Sequence, residues 1–492
     1  MAPTGRTPVP GTTGRATTIA AIPKAPTGIR GLDEVLLGGL PRGRATLVGG
    51  GPGTGKTLLG LEFLCRGALA GEPGLLVSFE EGADEIRRNA RTLGWDIDAF
   101  ERAGSLVLLN LDPPIRAQQT GDFDLGGLLA ILDGRIRDAG IRRVLIDAVD
   151  VLLRVFQDPR REEDELILMH DRLVGQDQTV VVTVKASGDA LETLHRLEYL
   201  ADCVLRLDHR VVGQVSTRRL RVLKYRGSGF LSNEYPYVIS EAGIVLMPIS
   251  TIGLNRPGTG VRRFASGVDG LDQLVDGGFQ QGSSILVGGG SGTGKTLLAC
   301  TLAVAASRRG ERVAYVTFEE GAEALSVAVR SAGVDLRPAI ESGNLQLMMS
   351  VPETMGVEEH LWQVIQLLER FRPQHLVVDA ISACQRMGAK AAAFDFVVRL
   401  MTECKARGIT CLYLNQVDPA DLQEVSGIGI SSLIDTLLVL DQQWPEDEAH
   451  LRRLLVIKMR GSRHAHGWNR FRITDTGLHF APGSASVADQ PS

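Results

Sequence analysis

The stretch GGGPGTGKTLL at Gly49–Leu59 decides the fold of this 492-residue chain, and it returns almost unchanged as GGGSGTGKTLL at Gly288–Leu298. Both copies contain the pattern G-x-x-x-x-G-K-T, which is specific for a phosphate-binding loop when it lies between a strand and a helix. The apolar run before each copy is typical of a buried strand, and the run after it is typical of a helix. The sequence therefore predicts two phosphate-binding loops, here called P-loops.

The residue types of the P-loops suit ATP as the ligand. Glycines let the backbone curl so that its N–H groups face phosphate oxygens, and the following helix adds the positive end of its dipole. Lys56 and Lys295 are expected to reach the β- and γ-phosphates, and Thr57 and Thr296 to place a hydroxyl on Mg²⁺. ATP and Mg²⁺ are therefore the predicted ligands. The other loop residues assigned to ATP are Gly50, Gly51, Gly53, Thr54, Gly55 and Leu58, and Gly289, Gly290, Gly292, Thr293, Gly294 and Leu297.

The P-loops belong to a longer duplication of the chain. Lys56 and Lys295 are 239 residues apart, and Glu80 and Glu319 of the repeated motif FEEGA have the same separation. Five matched segments in one order predict two copies of one domain. The segments are Thr27–Gly43 with Ser266–Gly282, the two P-loops, Val77–Ala83 with Val316–Ala322, Leu145–Ala148 with Val377–Ala380, and Lys224–Ser228 with Lys458–Ser462.

The apolar pattern sets the fold class and the domain limits. Short apolar runs alternate with helical patterns in each copy, which indicates an α/β fold with a mostly parallel, twisted sheet flanked by helices. The two ends of the chain are small and polar and are predicted to be disordered. We predict a leader at 1–24, a first domain at 25–249, a linker at 250–260, a second domain at 261–480 and a disordered tail at 481–492.

Composition narrows the classes of function. Apolar residues make up 44% of the chain, charged residues 23%, and the net charge is -5. This acidic balance argues against a nucleic-acid partner, because phosphate backbones are bound by an excess of Lys and Arg. The six cysteines show neither a CxxC pair nor zinc-ligand spacing, and no apolar run is long enough to cross a membrane. A cytoplasmic protein with reduced core cysteines and no membrane partner is expected.

Two aspartates end apolar runs at matched positions of the duplication, Asp147 in LIDA and Asp379 in VVDA. An Asp at the carboxyl end of a buried strand beside a P-loop can act on the nucleotide through Mg²⁺. The alternative is an aspartate that only caps the turn after the strand. Repetition of the position favours the metal role for both.

A pair of glutamates follows another strand in each copy. Glu80 and Glu319 come 24 residues after the P-loop lysines, and each is followed by a second glutamate, Glu81 or Glu320. A carboxylate beside the γ-phosphate can orient or deprotonate the attacking oxygen of water or of a Ser/Thr hydroxyl. An acidic pair in a turn is usually only solvated, but the matched spacing predicts catalytic residues here.

Two cations separated by one residue occur late in each copy, as Lys224 and Arg226 and as Lys458 and Arg460. Such residues project to the same side of a strand. They are either a charged sheet edge or an element that contacts the γ-phosphate of a neighbouring subunit. The second interpretation requires a ring or a filament.

The ordered set GLDxxLxGG, GxxGTGKT, FEE, xxDA and KxRG resembles the KaiC family of two-domain ATPases and autokinases of circadian clocks. The resemblance covers about Thr27 to Phe480 and includes NARTLGWD at Asn89–Asp96, NEYPYVIS at Asn233–Ser240 and ISSLIDT at Ile430–Thr436. It implies two tandem RecA-like domains and homohexamers of two stacked rings with ATP between subunits. It also implies an ATPase in the N-terminal ring and serine autokinase and autophosphatase activity in the C-terminal ring.

The resemblance assigns further roles by position. It implies that Ser431 and Ser432 accept phosphate, with Ser426 as an accessory hydroxyl. Glu319 would activate the accepting hydroxyl and lie at the metal, with Glu320 beside it, while Glu80 and Glu81 would be the hydrolytic pair. Nucleotide contacts across subunit interfaces would come from Lys224, Tyr225, Arg226, Ser228, Lys458, Met459, Arg460 and Ser462, with Thr92, Ser240 and Arg452 as further ATP contacts.

The serine pair could also simply satisfy a loop backbone. The first copy has LHRLEYLAD at the corresponding place, without paired hydroxyls, and this difference favours a specialised second domain. The family usually has Ser-Thr where this chain has Ser-Ser. The chain ends about a dozen residues after Phe480 and lacks the extension that binds KaiA in the family, so regulation by KaiA is not expected. A KaiB-like partner on the N-terminal ring is compatible with the resemblance.

Two other functions compete with the KaiC-type interpretation. A RecA- or RadA-like DNA-dependent ATPase should show DNA-stimulated hydrolysis with a steep salt dependence. A scaffold ring that is only held together by ATP should bind nucleotide tightly with negligible turnover, and it would not need the glutamate pairs.

Overall fold

The computed structural model describes most of both predicted domains. The described residues are 22–111, 125–153, 159–174, 177–186, 190–212, 215–248, 262–268, 270–387, 390–417, 429–443 and 451–480. Residues 1–21 of the predicted leader, the predicted linker and the predicted tail lie outside them, as does Ser426.

The described residues form two compact units. One holds the residues up to Asp208 together with Leu220–Tyr235 and Ile239–Leu246. The other holds His209–Arg219, Pro236–Val238 and the residues from Met247 onward. The two sequence copies are described below as the N-terminal repeat, 22–248, and the C-terminal repeat, 262–480.

The N-terminal repeat alternates strands and helices, as its apolar pattern predicts. Its strands are β1 (Lys24–Ala25), β2 (Leu40–Pro41), β3 (Ala45–Gly50), β4 (Gly74–Ser78), β5 (Leu106–Asn110), β6 (Arg143–Asp147), β7 (Thr179–Lys185), β8 (Cys203–Val212), β9 (Val215–Tyr225), β10 (Glu234–Ser240) and β11 (Gly243–Leu246). Its helices are α1 (Leu32–Val35), α2 (Lys56–Leu69), α3 (Ala83–Arg91), α4 (Ile97–Arg102), α5 (Leu125–Asp138), α6 (Val149–Leu153), α7 (Pro159–Val174) and α8 (Ala190–Leu200).

The C-terminal repeat follows the same plan. Its strands are β12 (Arg263–Phe264), β13 (Phe279–Gln280), β14 (Ser284–Gly289), β15 (Val313–Thr317), β16 (Leu345–Met349), β17 (His375–Asp379), β18 (Thr410–Gln416), β19 (Thr436–Gln443), β20 (Leu451–Met459), β21 (Trp468–Thr474) and β22 (Gly477–Phe480). Its α-helices are α9 (Leu271–Leu274), α10 (Lys295–Arg308), α11 (Ala322–Arg330), α12 (Arg337–Glu341), α13 (Val357–Phe371) and α14 (Lys390–Ala406), with 3₁₀ turns at Pro352–Thr354 and Ile381–Met387.

Each repeat is built on one nine-stranded sheet with the same strand order. The order is β5-β4-β6-β7-β3-β8-β9-β10-β11 in the first and β16-β15-β17-β18-β14-β19-β20-β21-β22 in the second. The strands from β5 to β8 pair in parallel, as do those from β16 to β19, while β19 to β22 pair antiparallel. The predicted pair of tandem α/β domains with mostly parallel sheets is thus confirmed.

Continuous apolar strands place the core of each repeat around the P-loop strand. The central strands contribute fully buried residues such as Leu47 and Val144 in the first repeat and Val287 and Val313 in the second. Helices cover these strands, and α10 alone contributes eight buried residues. Because the carboxyl ends of parallel strands meet at one edge of a sheet, residues that end β3, β4, β6 and β7 are brought together there.

All six cysteines are buried free thiols, as the sequence predicts. Burial raises the pKa of Cys65, Cys203 and Cys300 to about 12. Such thiols are packed as small apolar side chains and are not ionised at neutral pH.

Candidate functional site

Each P-loop connects the central strand of its sheet to a helix of 14 residues. Gly53 and Gly55 have φ of 70° and 83°, and Gly292 and Gly294 have φ of 74° and 101°. These are left-handed conformations that glycine adopts without steric cost. No side chain among the described residues caps the start of α2 or α10. The first backbone N–H groups of both helices can therefore bind an anion.

The P-loop lysines point back into their own loops. Lys56 Nζ donates to the carbonyl of Gly51 at 2.9 Å, and Lys295 Nζ donates to Gly289 and Gly290 at 2.8 and 2.7 Å. Burial lowers the pKa of both lysines, opposed mainly by the nearby aspartate of each repeat. An ammonium group held at the centre of a loop of backbone N–H groups suits a phosphate ligand.

The two predicted aspartates end β6 and β17 and contact the P-loop threonines. Thr57 Oγ1 donates to Asp147 Oδ2 at 2.9 Å, and Thr296 Oγ1 donates to Asp379 Oδ2 at 2.9 Å. The peptide bond after each aspartate is cis. Burial raises the pKa of both carboxyl groups. Both aspartates thus lie beside the P-loop threonines, and their action on the nucleotide through Mg²⁺ stays a prediction.

The donor set of each site fits Mg²⁺. A hydroxyl and a carboxylate are oxygen ligands of the kind that Mg²⁺ prefers. Within the described part of the chain, no group of three or more His, Cys, Asp or Glu side chains is arranged to hold a metal ion. In nucleotide sites Mg²⁺ usually takes its remaining ligands from phosphate oxygens and water.

Each aspartate is held by a further residue that the sequence did not reveal. Thr183 Oγ1 of β7 donates to Asp147 Oδ1 in the N-terminal repeat. Tyr315 of β15 donates to Asp379 Oδ2 at 2.7 Å in the C-terminal repeat, and its pKa is raised by burial. The two repeats thus fix equivalent carboxylates from different strands, and the only sequence signal is a polar residue within an apolar strand.

The glutamates of the N-terminal repeat lie in the turn after β4. Glu80 forms an ion pair with Lys185 at the end of β7. Glu81 Oε2 accepts a hydrogen bond from Asn89 Nδ2 at 3.3 Å, and burial followed by the charge of Asp147 raises the pKa of Glu81. Ser78 Oγ donates to the carbonyl of Glu81 at 2.8 Å and fixes the turn. Glu80 therefore contacts the end of the strand next to the P-loop strand, whereas Glu81 contacts helix α3.

The glutamates of the C-terminal repeat occupy the equivalent turn after β15. Thr317 Oγ1 donates to the carbonyl of Glu320 at 3.0 Å and accepts from the N–H of the same residue at 3.2 Å. Glu319 and Glu320 are exposed. The charge of Glu319 raises the pKa of Lys295 against the larger effect of burial, so the carboxylate lies near the P-loop.

A cavity of about 430 Å³ opens at the second P-loop. Gln416 and Val417 at the end of β18 line it, together with Asp441 and Gln442 on β19. Gln442 Nε2 donates to a loop carbonyl, that of Ser291, at 3.0 Å. The loop residues in its wall are Gly290, Ser291 and Thr293.

The paired cations of the N-terminal repeat contact the end of α8. Lys224 Nζ donates to the carbonyls of Glu198 and Tyr199 at 2.9 and 2.8 Å, and Arg226 Nη2 donates to Tyr199 at 2.9 Å. Both cations therefore project to one side, as predicted, and their described partners lie outside the P-loop.

The paired cations of the C-terminal repeat make the equivalent contacts with the serine pair. Lys458 Nζ donates to the carbonyl of Ser431 at 2.7 Å, and Arg460 Nη2 donates to the carbonyl of Ser432. Ser432 is exposed and Ser431 is partly exposed. The structure thus brings together the predicted phosphate acceptors and the predicted interface cations, which are far apart in sequence.

This cluster lies at the amino end of the P-loop strand, opposite the loop. The N–H of Ser284, the first residue of β14, donates to Asp435 Oδ2 at 2.9 Å, only three residues after Ser432. Gly289 ends the same strand five residues later, about 16 Å away at the rise of a parallel strand. The two repeats also share a backbone bond at this end of the strand: the N–H of Asp202 donates to the carbonyl of Ala45 at 3.0 Å, and the N–H of Asp435 donates to the carbonyl of Ser284 at 2.9 Å.

The remaining predicted ATP contacts bond within their own repeats. Tyr225 and Met459 are buried between the paired cations. Ser462 Oγ accepts from Arg263 and Gln280 at 2.6 and 2.9 Å. The structure does not bring these residues to the P-loop of their own repeat through any described contact. The same holds for Ser228, Thr92 and Ser240, whose hydroxyls donate to nearby backbone carbonyls, and for Arg452 on β20.

No helix in the described ranges combines the length and apolar character needed to span a bilayer.

Comparison with known proteins matches both repeats to one family. The family profile described as "ATPase: KaiC" matches residues 25–251 and again residues 264–485. The circadian clock protein KaiC2 of Synechocystis sp. PCC 6803 is 36% identical over 461 residues, which cover 92% of this chain and 81% of the relative. The circadian clock oscillator protein KaiC of Parathermosynechococcus lividus is 33% identical over 469 residues, 94% of this chain and 86% of the relative. The circadian clock protein KaiC3 of the same Synechocystis strain is 31% identical over 468 residues, which cover 93% of this chain and 92% of the relative.

Proposed function

The chain belongs to the KaiC family of ATPases, and on this premise we propose that it is a homohexameric ATPase and serine autokinase of timer-type signalling. The N-terminal repeat would hydrolyse ATP, and the C-terminal repeat would transfer the γ-phosphoryl group to Ser431 and Ser432. The contact of Lys458 and Arg460 with the backbone of both serines carries the kinase proposal, because it joins the acceptors to cations suited to phosphate.

Hydrolysis would use the residues around the first P-loop. Lys56 and the loop N–H groups bind the phosphates, and Glu80 or Glu81 accepts the proton of the attacking water. The water oxygen bonds to the γ-phosphorus, the bond to the β–γ bridging oxygen breaks, and ADP and phosphate leave. Mg²⁺, held by Thr57 and through Asp147, would supply positive charge to the phosphate oxygens.

Phosphoryl transfer in the C-terminal repeat would follow the same chemistry with a serine hydroxyl as nucleophile. The Oγ of Ser431 or Ser432 bonds to the γ-phosphorus, its proton passes to Glu319, and ADP leaves. The serines lie at the opposite end of β14 from Lys295 and its P-loop. This supports transfer between subunits of a ring, with the acceptor of one chain at the nucleotide of its neighbour.

The same geometry supports a ring for the N-terminal repeat. Lys224 and Arg226 lie at the amino end of β3, so a ring would place them beside the nucleotide of the next subunit. Cytoplasmic localisation, independence from KaiA and a KaiB-like partner on the N-terminal ring stay predictions from the sequence.

The decisive experiment mixes two full-length variants with ATP and Mg²⁺. Lys295→Ala keeps both serines but loses the second P-loop lysine, and Ser431→Ala/Ser432→Ala keeps the lysine but loses the acceptors. Phosphate is expected on the Lys295→Ala chain only in the mixture, and intact mass with peptide mapping reads it out. Phosphate on that chain when it is incubated alone, or none on the wild-type serines, would contradict the proposal. Native mass measured with and without ATP tests the hexamer.

A further inference from the structure

The strand next to each P-loop strand ends with a side chain beside the loop. Lys185 ends β7 and pairs with Gly50, and Gln416 ends β18 and pairs with Gly289. The residue that follows each of them, Ala186 or Val417, donates its N–H to the carbonyl of the paired glycine, at 3.0 and 3.2 Å. The N–H of Lys185 donates to Asp150 Oδ1 at 3.2 Å, and the N–H of Gln416 donates to Ser382 Oγ at 3.4 Å. Asp150 and Ser382 both lie three residues after the aspartate that contacts the P-loop threonine. The positions of Lys185 and Gln416 are therefore equivalent in backbone geometry but differ in charge.

In the N-terminal repeat the residue at this position, Lys185, contacts the proposed catalytic residue Glu80. Lys185 Nζ forms an ion pair with Glu80 Oε1, and their side chains are 29% and 42% exposed. Burial lowers the pKa of Lys56; Asp147 and Glu80 oppose this effect, and Lys185 adds to it. Lys185 and Glu80 therefore belong to the electrostatic environment of the P-loop. An ion pair this exposed contributes little to stability, so a structural role does not account for it.

In the C-terminal repeat the same position is neutral. Gln416 is exposed and lines the cavity at the second P-loop. An amide can donate a hydrogen bond but cannot form the ion pair that holds Glu80 in the first repeat. The proposed base Glu319 therefore has no ammonium group at this strand end.

We propose that Lys185 is a positioning residue for Glu80, whose carboxylate it holds on the γ-phosphate side of the first site. This inference rests on the proposed hydrolytic role of Glu80. A general base must lie within hydrogen-bond reach of the attacking water. A charge-assisted bond from the end of a central strand can hold the carboxylate in such a position, because the strand itself is fixed by its pairing with the P-loop strand.

The test is a double-mutant cycle in full-length protein that carries Lys295→Ala, so that turnover reports the first site. The variants are Lys185→Gln, which installs the residue of the second repeat, Glu80→Gln, and the two combined. Lys185→Gln is expected to lower kcat about tenfold, less than the roughly 10²–10⁴-fold contribution of a general base, with little change in KM. The combined variant is expected to match Glu80→Gln alone, since Lys185 acts through that carboxylate.

Lys185→Arg provides the matched control, because it keeps the charge and should restore most of the turnover. The thermal unfolding midpoint should be unchanged in every variant of Lys185 and Glu80. Wild-type kcat in Lys185→Gln would overturn the proposal, and so would a tenfold further loss when Lys185→Gln is added to Glu80→Gln. A higher KM with unchanged kcat would assign Lys185 to nucleotide binding instead and also reject it. If Glu80→Gln itself leaves turnover unchanged, the proposed hydrolytic role of Glu80 fails, which is a separate result.

Discussion

Lys458 Nζ lies 2.7 Å from the carbonyl oxygen of Ser431, although 27 residues separate them in the chain. The equivalent lysine of the first repeat, Lys224, binds the carbonyl of Glu198 in the same way at 2.9 Å. The lysine-to-carbonyl contact is therefore a shared feature of the fold, and the accepting residues are Glu198 and Tyr199 in the first repeat and Ser431 in the second. Because the bond is to the backbone, the serine hydroxyl remains available for chemistry.

We predict that Lys458→Ala loosens the turn that carries the serine pair. One charge-assisted bond to a carbonyl is lost, and hydrogen exchange of the amides at 429–435 is expected to rise. Phosphate incorporation at Ser431 and Ser432 should fall several-fold, as measured by peptide mapping. The control is Lys224→Ala, which should raise exchange near Tyr199 and leave Ser431 phosphorylation unchanged. Equal loss of phosphate in both variants would contradict a local effect.

The two glutamate pairs are expected to separate the two activities. Glu80→Gln with Glu81→Gln should reduce steady-state ATP hydrolysis by roughly 10²–10⁴-fold at the first site, because amides cannot accept the proton of water. Serine phosphorylation should persist, and native mass should show the same assembly. Glu319→Gln with Glu320→Gln should give the opposite pattern. Unchanged hydrolysis in the first variant would reject the assignment of the pair.

Tyr315→Phe tests how the second aspartate is held. The hydroxyl of this fully buried residue donates to Asp379 Oδ2, so its removal should lower the free energy of unfolding by about 1–3 kcal/mol. The control is Tyr413→Phe, another fully buried tyrosine, whose hydroxyl has no nitrogen or oxygen partner among the described residues. That change should be neutral or slightly stabilising. Denaturant midpoints of both variants measure the difference, and equal midpoints would contradict the prediction.

Glu72→Gln should show a pH-dependent loss of stability. Burial acts to raise the pKa of Glu72, but hydrogen bonds and charges from Arg143 and Arg42 outweigh it and lower the pKa. The stabilisation is therefore fully present above the unfolded-state pKa of about 4.3 and is lost as the pH falls through the folded-state value. At pH 7 the variant should lose about 2 kcal/mol, because the buried Arg143 guanidinium loses its charged hydrogen-bond acceptor, and the deficit should shrink below pH 4.

The equivalent carboxylate of the second repeat provides the control for that change. Glu311 accepts from His375 Nε2 at 2.9 Å, and burial lowers the pKa of this histidine, so that it is neutral at pH 7. Glu311→Gln should therefore cost less at pH 7 than Glu72→Gln, since no buried cation loses its partner. Thermal midpoints between pH 3 and pH 8 would measure both curves. A larger loss in Glu311→Gln would contradict this account.

The sequence by itself determined the two P-loops, the duplication, the strands that enter and the helices that leave, and the aspartates at the ends of β6 and β17. The loops and strands are local features, because glycine spacing sets the loop and apolar runs set the strands. The general rule that parallel strands end at one edge of a sheet then places the aspartates near the loops. Periodic patterns of this kind can be read without knowing which strands are neighbours.

Only the tertiary structure decided which side chains hold the site together. Thr183 and Tyr315 fix equivalent aspartates from different strands, Lys185 meets Glu80 across 105 residues, and Lys458 meets Ser431. Each of these contacts depends on the strand order, because a side chain finds its partner on a neighbouring strand or on the turn beyond it. The serines also lie at the opposite end of the P-loop strand from Lys295, and only the sheet pairing reveals this separation.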